Sequence, residues 1–168
     1  MRLLKVTGVL LILFAGIAAA QEKPDFSGTW NLNTDKSELG ERGGRRGGRM
    51  GGGAAVISVS MEENSMTVET TRKNRDGEEV TSAATYKLDG SSAEQETNFG
   101  TMNSTASWSK DGKKLIITST RTMSRGSRSF SMDTTETWYL KDGCLVIEST
   151  MQTPRGDRSS KRVYDKTE

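Results

Sequence analysis

Arg162 and Tyr164 stand two residues apart near the C-terminus, in the run Lys161-Arg162-Val163-Tyr164-Asp165. On an extended strand this spacing puts the guanidinium and the phenol on one face and Val163 on the other. A fork of N–H donors beside a phenolic hydroxyl is suited to holding an anion, a carboxylate above all. If that face is interior, an unpaired cation on it costs several kcal/mol or more, so Arg162 must find an anion, water or an aromatic face. Three outcomes stay open. Arg162 stacks on Trp30, worth about 0.5–2 kcal/mol; it pairs with Glu136; or it faces a cavity and receives the anionic group of a ligand together with the Tyr164 hydroxyl.

Catalysis finds little to work with. The chain has no histidine, which excludes histidine-dependent triads, His-ligated zinc and haem on a proximal His. Its one cysteine, Cys144, has no intramolecular disulfide partner and sits beside a turn with no activating base nearby, so it reads as a small strand residue. The carboxylate pairs Glu62-Glu63 and Glu78-Glu79 flank turns and read as solvated. No acid–base pair, nucleophile–base pair or metal-ligand spacing can be assembled, and neither an enzyme nor a cofactor or metal is expected.

Strands must position Arg162. The stretch Trp138-Tyr139-Leu140-Lys141-Asp142-Gly143-Cys144-Leu145-Val146-Ile147 reads as a strand end, an Asp-Gly turn and an alternating apolar strand. Trp108 to Thr120 echoes it around Asp111-Gly112. Further turn signals stand at Glu63-Asn64-Ser65, Asp76-Gly77, Asp89-Gly90, Phe99-Gly100, Arg125-Gly126 and Arg155-Gly156. Eight turns join nine segments; with a first strand at Phe26-Ser27-Gly28-Thr29-Trp30-Asn31-Leu32 they make about ten antiparallel strands, each paired with its sequence neighbour. Thr34 to Gly40 has room for one helical turn. The more apolar alternation marks the inward faces: Leu115, Ile117, Ser119 and Met123; Phe130, Met132, Thr134, Glu136, Trp138 and Leu140; Leu145, Ile147, Ser149 and Met151. Trp108 and Trp138 read first as strand-end packing. Ser91–Thr97 and Thr101–Trp108 are poor in apolar residues on both faces, so the interior there is partly wet or the sheet is open.

The first 20 residues read as an export signal: Arg2 and Lys5, an apolar run from Val9 to Ala15, then Ala18-Ala19-Ala20. The run is too short to span a bilayer comfortably, so secretion or periplasmic release after cleavage near Ala20 is expected, not a membrane-spanning protein. The mature part, 21–168, reads as one domain and a monomer. Arg2 and Lys5 account for the whole net charge of +2, and the near-neutral remainder gives no global attraction for nucleic acid. Residues 41–53, Glu-Arg-Gly-Gly-Arg-Arg-Gly-Gly-Arg-Met-Gly-Gly-Gly, cannot bury enough surface to offset chain entropy; they read as a disordered Gly/Arg-rich segment between the first and second strands. It is either an RGG-like arm for nucleic acid or anionic lipid or a flexible linker, the linker being favoured because export removes most RNA partners.

Three stretches carry a resemblance to the calycins, closest to fatty-acid-binding proteins and looser to lipocalins. Phe26-x-Gly28-Thr29-Trp30-x-Leu32 resembles the first-strand signature of both groups. Val56-Ile57-Ser58-Val59 with Met66-Thr67-Val68-Glu69 resembles the next two strands of fatty-acid-binding proteins. Asp142 to Met151, with Lys161-Arg162-Val163-Tyr164-Asp165-Lys166, is similar to their last two. The resemblance implies an all-β, up-and-down barrel of about ten strands around a water-containing cavity for a fatty acid or similar amphipath. In that family an Arg-x-Tyr holds the ligand carboxylate, and Arg162-x-Tyr164 matches it. A second family arginine falls here on Trp138, and the Gly/Arg segment replaces the family's helical lid.

Two functions compete: an exported binding module for a small hydrophobic or amphipathic molecule, or a ligand-free barrel serving as a structural or interaction module of the envelope. For the first, Arg162, Tyr164, Trp138, Ile147 and Met132 are the ligand-facing candidates; Trp30, Gly28 and Arg162 are the candidates for closing the barrel end. Because the linker reading assigns 41–53 no packing role, deleting these residues leaves the cooperative melting transition intact; a transition that collapses in the deletion variant refutes that reading.

Overall fold

The computed structural model describes residues 23–39, 54–73, 76–97, 100–125, 128–153 and 156–167. The run 1–20 expected to be an export signal and the Gly/Arg segment 41–53 lie outside them. Ten strands form one antiparallel sheet: β1 (Gly28–Leu32), β2 (Val56–Met61), β3 (Ser65–Lys73), β4 (Glu79–Lys87), β5 (Ser92–Thr97), β6 (Gly100–Trp108), β7 (Leu115–Arg125), β8 (Arg128–Lys141), β9 (Cys144–Gln152) and β10 (Arg158–Lys166). Their order is β4-β3-β2-β1-β10-β9-β8-β7-β6-β5, so the meander curls until its first and last strands pair. That junction has the register Trp30↔Lys166, Asn31↔Asp165 and Leu32↔Tyr164. Among the described residues no helix is long and apolar enough to cross a membrane.

The Asp-Gly signals act as turns for a local reason. Gly77, Gly90, Gly112 and Gly143 all have positive φ, as does Asp142 at 51°, the left-handed pair that a two-residue hairpin requires. Between the turns, period-two patterning sorts the side chains, as in the alternating exposure along β4 and β6. Outward threonines and serines pair across strands, for instance Thr67 with Thr85 and Thr71 with Thr81, both at 3.1 Å.

After β1 the chain makes a turn at Thr34–Lys36, short of any helix, and then rejoins β10 through a bridge between Glu38 and Lys161. Ser37 spans the bulge: its hydroxyl accepts a hydrogen bond from the Val163 N–H at 2.9 Å. Asp165 anchors the outer side, accepting from Asn33 Nδ2 at 2.6 Å and Lys36 Nζ at 3.0 Å. With the Cys144 thiol, these donors hold the Asp165 carboxyl down at about 2.

Closure fails at one place. β4 and β5, the two ends of the sheet order, have no backbone ladder between them. The apolar poverty of Ser91–Thr97 is the cause, since its inward positions are Ala93, Gln95 and Thr97, none able to pull the strand onto β4. A side chain bridges the seam instead: the Gln95 amide accepts from the Thr85 N–H at 3.0 Å and donates to the Thr85 carbonyl.

The β7–β8 hairpin overshoots its neighbours. Its pairing runs out to Arg125↔Arg128, whereas β8 meets β9 only as far as Asp133↔Gln152. Phe130, expected inside, therefore faces inward past the rim and is 47 % exposed. Leu140, at the opposite end of β8, is paired with Leu145 on β9 but lies beyond the last β7 partner, Leu115↔Trp138, and is 40 % exposed. Replacing Gln95 with alanine removes both hydrogen bonds across the seam. The expected result is a loss of about 1–2 kcal/mol in denaturant unfolding and faster hydrogen exchange at the Thr85 amide; unchanged Thr85 exchange would show that the bridge does not hold the seam.

Candidate functional site

One end of the barrel is sealed. The turns after β2, β4, β6 and β8 share it with the N-terminal segment 23–27, as alternate connections of a meander must. Phe26, Trp30, Met66, Leu115, Leu145 and Tyr164 are fully or almost fully buried. Phe26 stacks on Trp108 with ring centroids 5.9 Å apart and tilts against Trp138 at 6.2 Å. Trp30 Nε1 donates to the Phe26 carbonyl at 2.9 Å, which satisfies the one polar atom of the ring. Gly28, with φ of 130°, leaves the space beside Trp30 open, and Lys166 fills it: the ammonium lies 5.4 Å from the Trp30 ring centre. The cation over Trp30 is Lys166, directly opposite in the β1–β10 register, and not Arg162.

Above this floor the barrel encloses a cavity of about 740 Å³. Its deeper wall includes Ile57, Val68, Trp138 and Ile147, and polar groups sit among them. Arg162 donates from one terminal nitrogen to Glu136 at 2.6 Å, and Trp138 Nε1 donates to the other Glu136 oxygen at 3.0 Å. Of the three outcomes open to Arg162, the ion pair with Glu136 is the one observed. The register explains it. Ile147 lies opposite both Trp138 and Arg162, so Glu136, two residues from Trp138 on the same face, is diagonal to Arg162. Burial alone would weaken the Arg162 cation, and Glu136 together with Tyr164 more than restores it.

Among the described residues, three buried polar atoms at the cavity have no hydrogen-bond partner: Arg162 Nε, Tyr164 Oη and Arg121 Nε. Burial raises the Tyr164 phenol above its ordinary value despite the neighbouring Arg162, and Tyr86 is raised further by its burial; both remain neutral donors at physiological pH.

The five sequence-derived candidates Arg162, Tyr164, Trp138, Ile147 and Met132 all line this one cavity. Trp30 and Gly28 belong to the sealed end. Arg121 was missed, although period two places it between Ser119 and Met123 on a face already marked inward. Tyr86 was missed as well, and its signal was the same: it follows Ser82 and Ala84 on the inner face of β4. Among the described residues no group of His, Cys, Asp or Glu is arranged to hold a metal ion.

Removing one member of the Glu136–Arg162 pair strands the other. Glu136→Ala and Arg162→Ala are each expected to lower stability by about 2 kcal/mol, less than the ~3–5 kcal/mol of a fully enclosed pair because cavity water solvates the survivor. In the double variant the two losses do not add. Additive losses in denaturant unfolding would refute the coupling.

No protein-family model and no curated protein matches the sequence. Solved structures do share its architecture. A secretory abundant heat-soluble (SAHS) protein of Ramazzottius varieornatus is 15% identical over 84% of this chain and 95% of its own, with a TM-score of 0.56. A point mutant of the REP1-NXSQ fatty acid transporter is 15% identical over 84% of this chain and 97% of its own, with a TM-score of 0.52. Zebrafish ileal bile acid-binding protein with cholic acid is 16% identical over 84% and 98%, with a TM-score of 0.49. At such identities the likeness is one of fold alone: an all-β, nearly closed, ten-stranded antiparallel barrel.

Proposed function

We propose that this protein is an exported, non-enzymatic binding module that holds one small amphipathic molecule, of the lipid or fatty-acid class, inside its barrel. The observation that carries this reading is the cavity. Its volume of about 740 Å³ falls within the ~300–1,000 Å³ of small-molecule sites. Its lining pairs apolar surface from Ile57, Val68, Trp138 and Ile147 with polar atoms that have no partner among the described residues. A filled barrel acting only as an envelope component has no use for such a space, and a native interior rarely leaves buried donors unsatisfied without water or a ligand. The fatty acid transporter with the same fold lends support at the level of ligand class.

The leader-like run from Arg2 to Ala20 supports export, so the ligand would be met outside the cytoplasm. No reaction is assigned: both Glu136 oxygens are engaged by Arg162 and Trp138, leaving no free general base in the cavity's ion pair.

The purified protein should release a small amphipath into organic solvent, identifiable by mass spectrometry, or bind a fluorescent fatty-acid probe that unlabelled fatty acid displaces at one site per chain. Neither a co-purifying molecule nor displaceable probe binding would overturn the reading.

A further inference from the structure

We propose that Arg121 takes the charged head group of the ligand, a single carboxylate or comparable monoanion, with the apolar chain directed toward the sealed end. This rests on the cavity being a ligand site and adds the charge and direction of what it holds.

Arg72, Arg121 and Arg162 all line the cavity, and the last two differ in how their charge is met. Arg162 is neutralised by Glu136 at 2.6 Å, and Glu136 is held on its other oxygen by Trp138. Arg121 forms no ion pair among the described residues. Its Nε is buried without a partner, and a terminal nitrogen donates only to Met102 Sδ at 3.7 Å, a weak acceptor. Its cross-strand neighbours are methionines on both sides, Met102 on β6 and Met132 on β8. A guanidinium set between two thioethers is poorly screened, which strengthens its attraction for an anion and makes leaving it unmatched expensive. With Arg72 and Glu96, which also line the cavity, Arg121, Arg162 and Glu136 make three positive and two negative charges, a net of one that one monoanion cancels.

Position gives the direction. Ile117 is level with Glu136, and Arg121 lies four residues further along β7, about 13 Å along the strand in the direction of the open end. Ile57, Val68, Trp138 and Ile147 lie below it toward the floor. A head group at Arg121 therefore leaves the apolar chain the inner part of the cavity. A carboxylate seated at Arg162 and Tyr164 would lie deep, and Glu136 would repel it there. Glu136 thus sets specificity by closing the deep cation to a second negative charge.

The test is calorimetric titration of the purified protein with dodecanoate and with 1-dodecanol, in the native sequence and in Arg121→Gln and Arg121→Lys. The expected result is a loss of about tenfold or more in dodecanoate affinity in Arg121→Gln, dodecanol affinity held within about twofold, and recovery of most dodecanoate binding in Arg121→Lys. A second measurement needs no variant. Trp30, Trp108 and Trp138 all lie toward the sealed end, so octadecanoate carrying a nitroxide near its chain terminus should quench tryptophan emission more than octadecanoate labelled near its carboxylate. Equal loss of both ligands in Arg121→Gln, loss of neither, or stronger quenching by the carboxylate-side label overturns the proposal. Failure of the native protein to bind either dodecanoate or dodecanol overturns the pocket itself, and this assignment with it.

Discussion

Everything inside this barrel depends on the antiparallel junction between its first and last strands. Only three residue pairs define it, from Trp30↔Lys166 to Leu32↔Tyr164, and a seam so short is marginal alone. The flanking polar groups lengthen it. Thr167 N–H donates to the Thr29 carbonyl at 2.8 Å, Asn31 Nδ2 reaches Thr167 Oγ1 at 2.8 Å, and Asn33 and Lys36 converge on Asp165. Beyond the bulge, Glu38 and Lys161 exchange backbone hydrogen bonds at 2.7 Å in both directions. The junction also turns Tyr164 and Arg162 inward and brings Lys166 over Trp30, so the sealed end and the polar wall follow from one register. A one-residue slip would send Arg162 to the outside.

The composition limits how such a barrel can be filled. Hydrophobic residues make up 32% of the chain, enough to pack the end around Phe26, Trp30 and Leu115 but not the whole interior. The remainder is lined by serine, threonine, tyrosine, arginine and glutamate, whose groups need each other, water or a guest. A cavity is thus the consequence of having too little apolar volume for ten strands, and the Glu136–Arg162 pair is how the deepest charge is kept tolerable without a guest. The two ends of the interior then differ in kind: one is closed by aromatic packing, the other is bordered by methionines and an arginine with no anion.

Much of this architecture was legible in the residues. Asp-Gly and related turns counted the strands because a hairpin turn needs left-handed backbone and few residues supply it. The inner faces followed from period two, which is why Met132, Trp138, Ile147, Arg162 and Tyr164 could be named together. Period two says which face a side chain takes, however, and not where along the strand the barrel ends, so Phe130 and Leu140 were placed inside when they lie past its rims. Arg121 was passed over because a charge in a Ser/Thr/Arg stretch looks solvated; only the register with Met102 and Met132 shows what surrounds it. Lys166 in place of Arg162 over Trp30, and Gln95 standing in for a missing ladder, depend on which distant strands meet, and no local pattern encodes that.

The overshooting β7–β8 hairpin has a consequence for the molecule in a crowd. Beyond Asp133 the free side of β8 offers main-chain donors and acceptors that β9 does not cover, next to a half-exposed phenylalanine. That is the geometry on which copies of a protein add strand to strand and polymerise. Here the uncovered run alternates Ser129 and Ser131 with Phe130 and Met132, so one of its faces carries hydroxyls that hydration keeps in water. The same hydroxyl chemistry that makes the outer wall look featureless is this edge's protection against fibre formation.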